Sequence, residues 1–336
     1  MGPAPTVSIV ICTRNRARSL SGTLHSLTKL ESNHAWEALV IDNASVDDTR
    51  QVIDGADDCD GRLRRLQVDQ VGLGAARDAA WRQARGSIVS FTDDDCYLKP
   101  DYVDAIIDVF DACPRVGCVG GRIMLFDPLD AQVTIDERDT PHQIEPFQFI
   151  NAGEIQGANL SFRRDVLDRI GGFDPQLGAG TRFPCEDIDA VAAAAWAGTL
   201  VRFDPGPTVF HHHRRRSRDV EKLRAAYDHG RGAYYAKYIL RSDTRRNYVR
   251  GWWRLATKEC HWSSLVRLSR ELTAAAAYLV HRKRYGFLLM AAPVGLSAYC
   301  IVGALVVLHF SNSRISSCIA RPAARLWPFM QRDGLR

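Results

Sequence analysis

Apolar runs separated by polar segments make up most of the first 210 residues. Three runs, at residues 7–12, 38–41 and 88–91, are largely apolar or β-branched, which is typical of strands buried on both faces. Leu20, Leu24 and Leu27 recur near the helical period and predict a helix between the first two strands. This alternation predicts an α/β fold with a mainly parallel, doubly wound sheet flanked by helices.

The alternation continues as far as residue 210. The pattern predicts further strands at 63–68, 116–123, 157–162, 200–203 and 208–210, and helices at about 73–84, 101–113, 163–170 and 184–198. Ser45, three residues before Asp48, is placed to cap a helix after the second strand. Residues 127–150 are polar and interrupted by prolines, which predicts a mobile loop near a site.

Charge is distributed unevenly along the 336 residues, whose net charge is +5. Residues 1–210 contain 20 basic and 32 acidic side chains, whereas residues 211–336 contain 24 and 7. The basic second part would suit an anionic membrane surface or a polyanion. Nine cysteines without a CxxC pair predict reduced thiols, and residues 1–5 do not resemble a signal peptide. We therefore expect the catalytic part on the cytoplasmic side.

Three adjacent carboxylates follow the strand predicted at residues 88–91. Left alone, Asp93, Asp94 and Asp95 would repel one another and weaken the fold. A divalent cation with a bound diphosphate removes that cost, and Mg²⁺ and Mn²⁺ prefer oxygen ligands. An acidic, solvated turn is the alternative interpretation. The position favours the metal site, because open α/β sheets bind ligands at the carboxyl ends of their strands.

Two common nucleotide-binding motifs are excluded. Residues 72–77 begin like a dinucleotide fingerprint, but Arg77 occupies the place of the third glycine. The segment also does not follow the first strand, and it is interpreted as a tight turn that opens a helix. No GxxxxGK[ST] sequence occurs, which excludes a P-loop.

Five short segments occur in an order known from one enzyme family. They are Thr13-Arg14-Asn15, residues 40–45 (VIDNAS), residues 74–78 (GAARD), Asp93-Asp94-Asp95 and Glu186-Asp187. In this order they resemble family 2 glycosyltransferases over roughly residues 6–215. The resemblance implies the Rossmann-like glycosyltransferase A fold, a nucleotide-diphosphate sugar donor, a divalent cation and inversion at the anomeric carbon.

The resemblance also implies roles on the donor side of a site. Thr13 and Asn15 correspond to positions that hold the nucleoside, and Asp42 to the acidic residue that hydrogen-bonds the base or ribose. Arg77 would lie near the nucleotide, and Asp94 would belong to the same donor site. For Asp42 a turn-forming Asx cap is an equally good interpretation.

The metal and the acceptor side follow from the same resemblance. Asp95 would bind the cation together with His211 and with Asp93, which would also face the ribose. Glu186 and Asp187 correspond to an acidic pair near the acceptor, with Asp187 as the base. The alternatives are local: acidic residues complement a helix N-terminus, and His211 could simply end a strand.

The chemistry of inverting transfer is consistent with these roles. A base must take the proton of the acceptor hydroxyl, and positive charge must stabilise the departing diphosphate. The Gln/Arg-x-x-Arg-Trp signature of processive synthases does not occur, which favours transfer of a single sugar. The alternatives are a protein that binds nucleotide sugars without transfer, and a nucleotidyltransferase, which would normally carry a glycine-rich loop after the first strand.

The chain is expected to divide into four parts. Residues 1–215 would form the catalytic domain, 216–284 a basic extension with helices near 219–240 and 244–282, and 311–336 a basic tail. Residues 285–310 contain no Asp, Glu, Lys or Arg, which predicts a transmembrane or membrane-associated helix, with a buried helix as the alternative. The cationic residues before this run favour a catalytic part at the cytoplasmic face of the membrane. We expect a glycan or lipid-linked acceptor from polysaccharide or glycolipid synthesis, and no nucleic-acid partner.

Overall fold

The computed structural model describes residues 4–258 and 262–284. Its first half consists of β1 (Val7–Thr13), α1 (Ala17–Leu27), β2 (Trp36–Asp42), α2 (Thr49–Asp54), β3 (Leu63–Gln67), α3 (Leu73–Gln83) and β4 (Ile88–Asp93). The four strands are parallel and lie in the order β3-β2-β1-β4. All residues of β2 and nearly all of β1 are buried, as expected for strands covered on both faces.

The sheet continues beyond β4 with strands of more variable length that are partly antiparallel. The elements are β5 (Cys96–Leu98), α4 (Tyr102–Ala112), β6 (Val116–Leu125), β7 (His142–Ile144), β8 (Asn159–Arg163), α5 (Arg164–Ile170), α6 (Glu186–Trp196) and β9 (Leu200–His211). Their order is β4-β8-β6-β9-β5, and β7 also pairs with β9. The predicted α/β class is therefore confirmed, with antiparallel strands added on one side of the parallel ones.

The strands of the second half differ in detail from the predicted pattern. β5 and β7 have three residues each, too few to show a periodic pattern, and β7 lies where only a loop was predicted. The strands predicted at 200–203 and 208–210 form the single strand β9. Its pairing with β6 skips residues 205–207, which include two prolines that cannot donate to the ladder.

The register brings polar residues of neighbouring strands together. Thr13 at the end of β1 is opposite Asp42 at the end of β2, and Cys12 is opposite Asp93 at the end of β4. Three strand ends therefore meet at the carboxyl edge of the sheet, where ligands bind in open α/β folds.

Three helices follow the sheet: α7 (Val220–Leu240), α8 (Arg245–Lys258) and α9 (Trp262–His281). The helix predicted at 219–240 is confirmed, whereas the one predicted at 244–282 is two helices. Tyr234 and Tyr238 of α7 and Tyr248 of α8 are fully buried in the same core cluster as Phe91 of β4. Residues 216–284 thus share a hydrophobic core with the α/β part of the molecule.

The predicted segments at 285–310 and 311–336 lie outside the described residues. Among residues 4–258 and 262–284, no helix has both the length and the apolar character needed to cross a membrane.

Candidate functional site

The end of β1 and the acidic triplet are joined by hydrogen bonds. Thr13 Oγ1 donates to Asp94 Oδ2 at 2.6 Å, and Arg16 Nε donates to Asp94 Oδ1 at 3.1 Å. Arg16 also pairs with Asp95 Oδ2. Both oxygens of Asp94 therefore face the turn after β1, and Arg16 neutralises part of the acidic charge. Sequence analysis did not single out Arg16, because its carboxylate partners lie 78 and 79 residues further along the chain.

The predicted metal ligands lie close together. His211 Nε2 is 3.1 Å from Asp95 Oδ1, because β5 pairs with β9 and places Cys96 opposite His211. One ligand atom each from Asp93, Asp95, Cys96 and His211 lies within 4.8 Å of the others. Two carboxylates and an imidazole suit Mn²⁺ or a similar divalent cation. Burial raises the pKa of the Cys96 thiol well above its usual value, so the thiol is the poorest ligand of the four.

The carboxylates of the triplet differ in electrostatic environment. Burial acts to raise the pKa of Asp95, but the hydrogen bond from His211 and the cations of Arg16 and Arg215 hold it at about 2. Burial raises the pKa of Asp94 to about 6, although Arg16 opposes the shift. Asp95 is therefore the member that stays ionised most easily, as a cation ligand must.

Asn15 and Asp42, which were predicted to contact the nucleoside, make hydrogen bonds in the turns after β1 and β2. Asn15 donates its backbone N–H to Ser45 Oγ at 3.0 Å and accepts the Val46 N–H on Oδ1 at 2.8 Å. Asp42 Oδ1 accepts the Ser45 N–H at 3.0 Å, as in an Asx turn. The predicted capping by Ser45 is wrong, because α2 begins at Thr49 without a side-chain cap. These bonds fix the two turns side by side at the carboxyl edge.

Arg77 lies in α3 at the centre of the site and is buried. Its Nη2 is 3.3 Å from Asp93 Oδ1 and donates to the Gly157 carbonyl at 3.0 Å, and its Nη1 is 3.2 Å from Glu186 Oε1. A Cβ atom on Gly157 would lie 2.6 Å from Arg77 Nη1 and 2.9 Å from Asp187 Oδ2. A side chain at position 157 would therefore have to displace Arg77 and Asp187, a constraint that the sequence pattern did not reveal.

The two acidic side chains at the start of α6, Glu186 and Asp187, point in different directions. Glu186 is buried against Arg77, whereas Asp187 is only half-buried. Asp187 Oδ2 accepts the Gly157 N–H at 2.9 Å, and Oδ1 accepts the Ile188 N–H at 2.7 Å. Burial raises the pKa of Glu186 above its usual value, and the Arg77 cation opposes that shift. Of the two, Asp187 is the one that a substrate can reach.

Helix α7 fixes the position of α6. Lys237 Nζ is 2.8 Å from both Asp174 Oδ2 and Asp189 Oδ2, and Tyr238 donates its hydroxyl hydrogen to the Asp189 carbonyl at 2.9 Å. Gly230 allows the close approach, since a Cβ there would lie 1.9 Å from the Pro184 carbonyl oxygen. The start of α6, with its acidic pair, is thereby held by a helix outside the sheet.

Arg215 is a further residue that sequence analysis did not single out. It follows β9, is half-buried and is one of the cations that act on Asp95. Within residues 4–258 and 262–284, its guanidinium has no hydrogen bond or ion pair. A cation beside a cluster of metal-ligand type is a candidate for binding phosphate oxygens.

Comparison with known proteins gives a family match for the first half of the chain. Residues 8–171 match the model of glycosyl transferase family 2. A relative from Haloferax volcanii, glucosyl-dolichyl phosphate glucuronosyltransferase, is 26% identical over 184 residues, which cover 51% of this chain and 57% of the relative. The chain thus spans little more than half of that protein.

Two solved structures share the fold over most of their length. A mannosyltransferase from Pyrobaculum calidifontis, solved with GDP-Man and Mn²⁺, aligns with a TM-score of 0.56 at 19% identity over 89% of this chain and 84% of its own. Residues 1–349 of TarS from S. aureus, solved with UDP-GlcNAc, align with a TM-score of 0.57 at 14% identity over 88% of this chain and 89% of that one. The likeness confirms the predicted glycosyltransferase A fold.

Proposed function

We propose that the chain is a member of glycosyl transferase family 2, whose model matches residues 8–171, and that it transfers a single sugar from a nucleotide-diphosphate sugar to an acceptor hydroxyl, with inversion. The proposal rests mainly on one arrangement, in which two acidic side chains contact the guanidinium of Arg77. Asp93 at the end of β4 and Glu186 at the start of α6 contact the same guanidinium. Arg77 thus joins the donor end of the sheet to the pair that contains Asp187.

Asp187 acts as the base in this proposal. The acceptor oxygen attacks the anomeric carbon and forms the new C–O bond, while the bond to the diphosphate breaks and the diphosphate leaves with the electron pair. The hydroxyl proton passes to the carboxylate of Asp187. Each of its oxygens accepts one backbone N–H and keeps a further lone pair. The two N–H groups hold the carboxylate in a fixed orientation, which favours a single direction of attack.

Asp93, Asp95 and His211 would hold the divalent cation. When bound, Mn²⁺ or Mg²⁺ would neutralise charge that develops on the departing diphosphate. Arg215 would bind the same diphosphate through its guanidinium, which has no protein partner within the described residues. Arg16 fixes Asp95 and Asp94 in place, so that the ligand set is arranged before the donor arrives.

The turns after β1 and β2 would receive the nucleoside. Asn15 and Ser45 bind these turns to each other, so the surface that faces the base and ribose is rigid. Asp42 uses Oδ1 for the Ser45 N–H, which leaves Oδ2 for a ribose hydroxyl or the base. Thr13 contributes indirectly by orienting Asp94.

The acceptor that fits best is a glycan or sugar carried on a lipid, at the cytoplasmic face of a membrane. The relative from Haloferax volcanii is named for a dolichyl phosphate substrate, which supports a lipid-linked acceptor. The uncharged run at residues 285–310 supports the location. Holding enzyme and acceptor at one surface raises their effective concentration.

A screen of nucleotide sugars with Mn²⁺ tests the proposed reaction. We expect one UDP- or GDP-linked sugar to raise the melting temperature. At a hundredfold excess over its Kd, such a ligand stabilises the folded chain by about 2.7 kcal/mol. The same sugar should be hydrolysed slowly when no acceptor is present. A chain that is stabilised by no nucleotide sugar in the presence of Mn²⁺ would contradict the proposal.

A further inference from the structure

The outward face of α8 is basic and contains two exposed apolar side chains. Arg246, Val249, Arg250 and Trp253 follow one another at helical spacing and are all exposed. The opposite face packs on the rest of the molecule: Tyr248 is buried in the aromatic core, and a Cβ atom at Gly251 would collide with the Phe149 ring. The helix is therefore fixed from one side and open on the other.

The charge on this face is not balanced by the protein. The 14 residues of α8 include no Asp or Glu. Within the part of the chain that the structure describes, the side chains of Arg246, Arg250, Arg254 and Lys258 make no hydrogen bond or ion pair. The neighbouring helices are different, since Arg231 of α7 pairs with Asp228 and Glu271. A line of unpaired cations favours an anionic partner.

Two apolar side chains lie among these cations. Trp253 is 68% exposed and Val249 is 49% exposed. Exposed singly, such residues need no explanation, but here they occupy the centre of a strongly basic face. Apolar residues flanked by Arg and Lys on one face are typical of helices that lie in the interface of a bilayer, where tryptophan is also enriched.

We propose that the outward face of α8 docks on an anionic lipid surface, with Trp253 and Val249 among the headgroups and the arginines on lipid phosphates. A nucleic acid would satisfy the cations, but its phosphate backbone offers no apolar layer in which to bury Val249. The inference rests on the geometry of α8, and it holds whether or not the protein transfers a sugar.

Vesicle binding of the full chain tests this surface. We expect binding to phosphatidylcholine vesicles that contain phosphatidylserine, and weaker binding to phosphatidylcholine alone or at high salt. The double variant Arg250→Gln/Arg254→Gln should bind about thirtyfold more weakly, because each cation near an anionic surface contributes roughly a factor of five. The matched control Arg18→Gln/Lys29→Gln, which removes two exposed cations of the α1 region, should bind like the wild type.

A second measurement follows Trp253 itself, so that another membrane-binding segment cannot hide the result. Brominated lipids should quench part of the tryptophan emission of the bound protein. Trp253→Phe keeps the apolar area, so it should bind vesicles nearly as well but lose that quenched component. If brominated lipids quench the emission of Trp253→Phe and of the wild type by the same amount, Trp253 stays in water and the proposal is overturned.

Two further outcomes would also overturn it. If Arg250→Gln/Arg254→Gln binds vesicles normally but melts at a lower temperature, another part of this chain covers the face. If single-stranded RNA displaces the wild-type protein from the vesicles and the double variant loses RNA binding, the surface serves a nucleic acid. Both outcomes leave the proposed transfer reaction unaffected, since no residue of α8 belongs to that site.

Discussion

Replacing Arg77 with methionine removes the cation at the centre of the site and keeps most of its volume. The guanidinium lies 3.2 Å from Glu186 Oε1 and 3.3 Å from Asp93 Oδ1, and it donates to the Gly157 carbonyl at 3.0 Å. Glu186 is buried, so the change leaves a buried carboxylate without its partner. Breaking a buried pair in this way costs about 3–5 kcal/mol. We expect the free energy of unfolding to fall by that amount at pH 8.

The loss should depend on pH in a definite direction. Burial already raises the pKa of Glu186, and Arg77 is the group that opposes the shift. Without Arg77 the folded-state pKa rises further above the unfolded value. The folded variant then binds a proton more readily than the unfolded chain, so its stability falls as pH rises between the unfolded and folded pKa values. Arg77→Met should therefore be less destabilised at pH 5.5 than at pH 8.

Urea denaturation followed by circular dichroism measures both effects. Arg82→Met, on the same helix, serves as control because Arg82 is half-exposed and pairs with Asp78 at the surface, where such pairs contribute less than about 1 kcal/mol. Adding Glu186→Gln to Arg77→Met should recover part of the loss and reduce its pH dependence, with the remainder due to Asp93, which also loses its contact with Arg77. A loss below about 1 kcal/mol, or an equal loss at both pH values, would show that Arg77 does not stabilise the buried Glu186 carboxylate.

Three other changes test the site itself. Asp95→Ala should abolish Mn²⁺-dependent binding of a nucleoside diphosphate, measured by calorimetry, because the cation loses a carboxylate ligand. Asp187→Asn should keep donor affinity and lower the transfer rate by about 10²–10⁴-fold, the usual contribution of a general base. Gly157→Ala should lower the melting temperature, because its methyl group displaces Arg77 and Asp187, and overpacking of this kind costs about 1–3 kcal/mol.

Each of these predictions has an opposing result. Unchanged Mn²⁺ dependence in Asp95→Ala would remove the proposed metal site. Equal losses of donor binding and transfer in Asp187→Asn would make that residue a structural helix cap. A fully stable Gly157→Ala would show that α3 and α6 can separate without cost, and Gly206→Ala, an exposed position where the nearest atom to the added Cβ is Asp204 Oδ1 at 3.3 Å, is the comparison.

The parallel strands could be predicted because their signal is local. β1, β2 and β4 are buried on both faces, so they appear as apolar runs that need no knowledge of their neighbours. β5 and β7 exist only through their pairing with β9, and three residues carry no period. The helices after residue 216 were also predicted, but not their packing, since the bond between the hydroxyls of Tyr234 and Tyr248 joins residues whose contact no local pattern encodes.

For the candidate site too, some residues could be predicted from the sequence and others could not. Asp93, Asp95 and His211 were expected near one another, and the structure brings them together. Arg16 and Gly157 were missed because their importance depends on partners 30 to 80 residues away in sequence. Asp94 was expected to bind the donor, whereas its oxygens are directed at Thr13 and Arg16. The directions of the two Asp94 oxygens are set by Thr13 and Arg16 at the turn after β1, and that turn has no sequence signature of its own.

The bridge from Lys237 to Asp174 and Asp189 has a consequence for how such proteins can diversify. The residues that match the family model end at 171, before Asp187, His211 and the helices that hold α6. A chimera joined at residue 171 would exchange the ends of β1, β2 and β4 and keep Asp187, the proposed base, with its own supporting helix. The two segments also meet along the β6–β9 and β5–β9 pairings and at the His211–Asp95 contact, so donor-side and acceptor-side residues can be exchanged separately only where these contacts are kept.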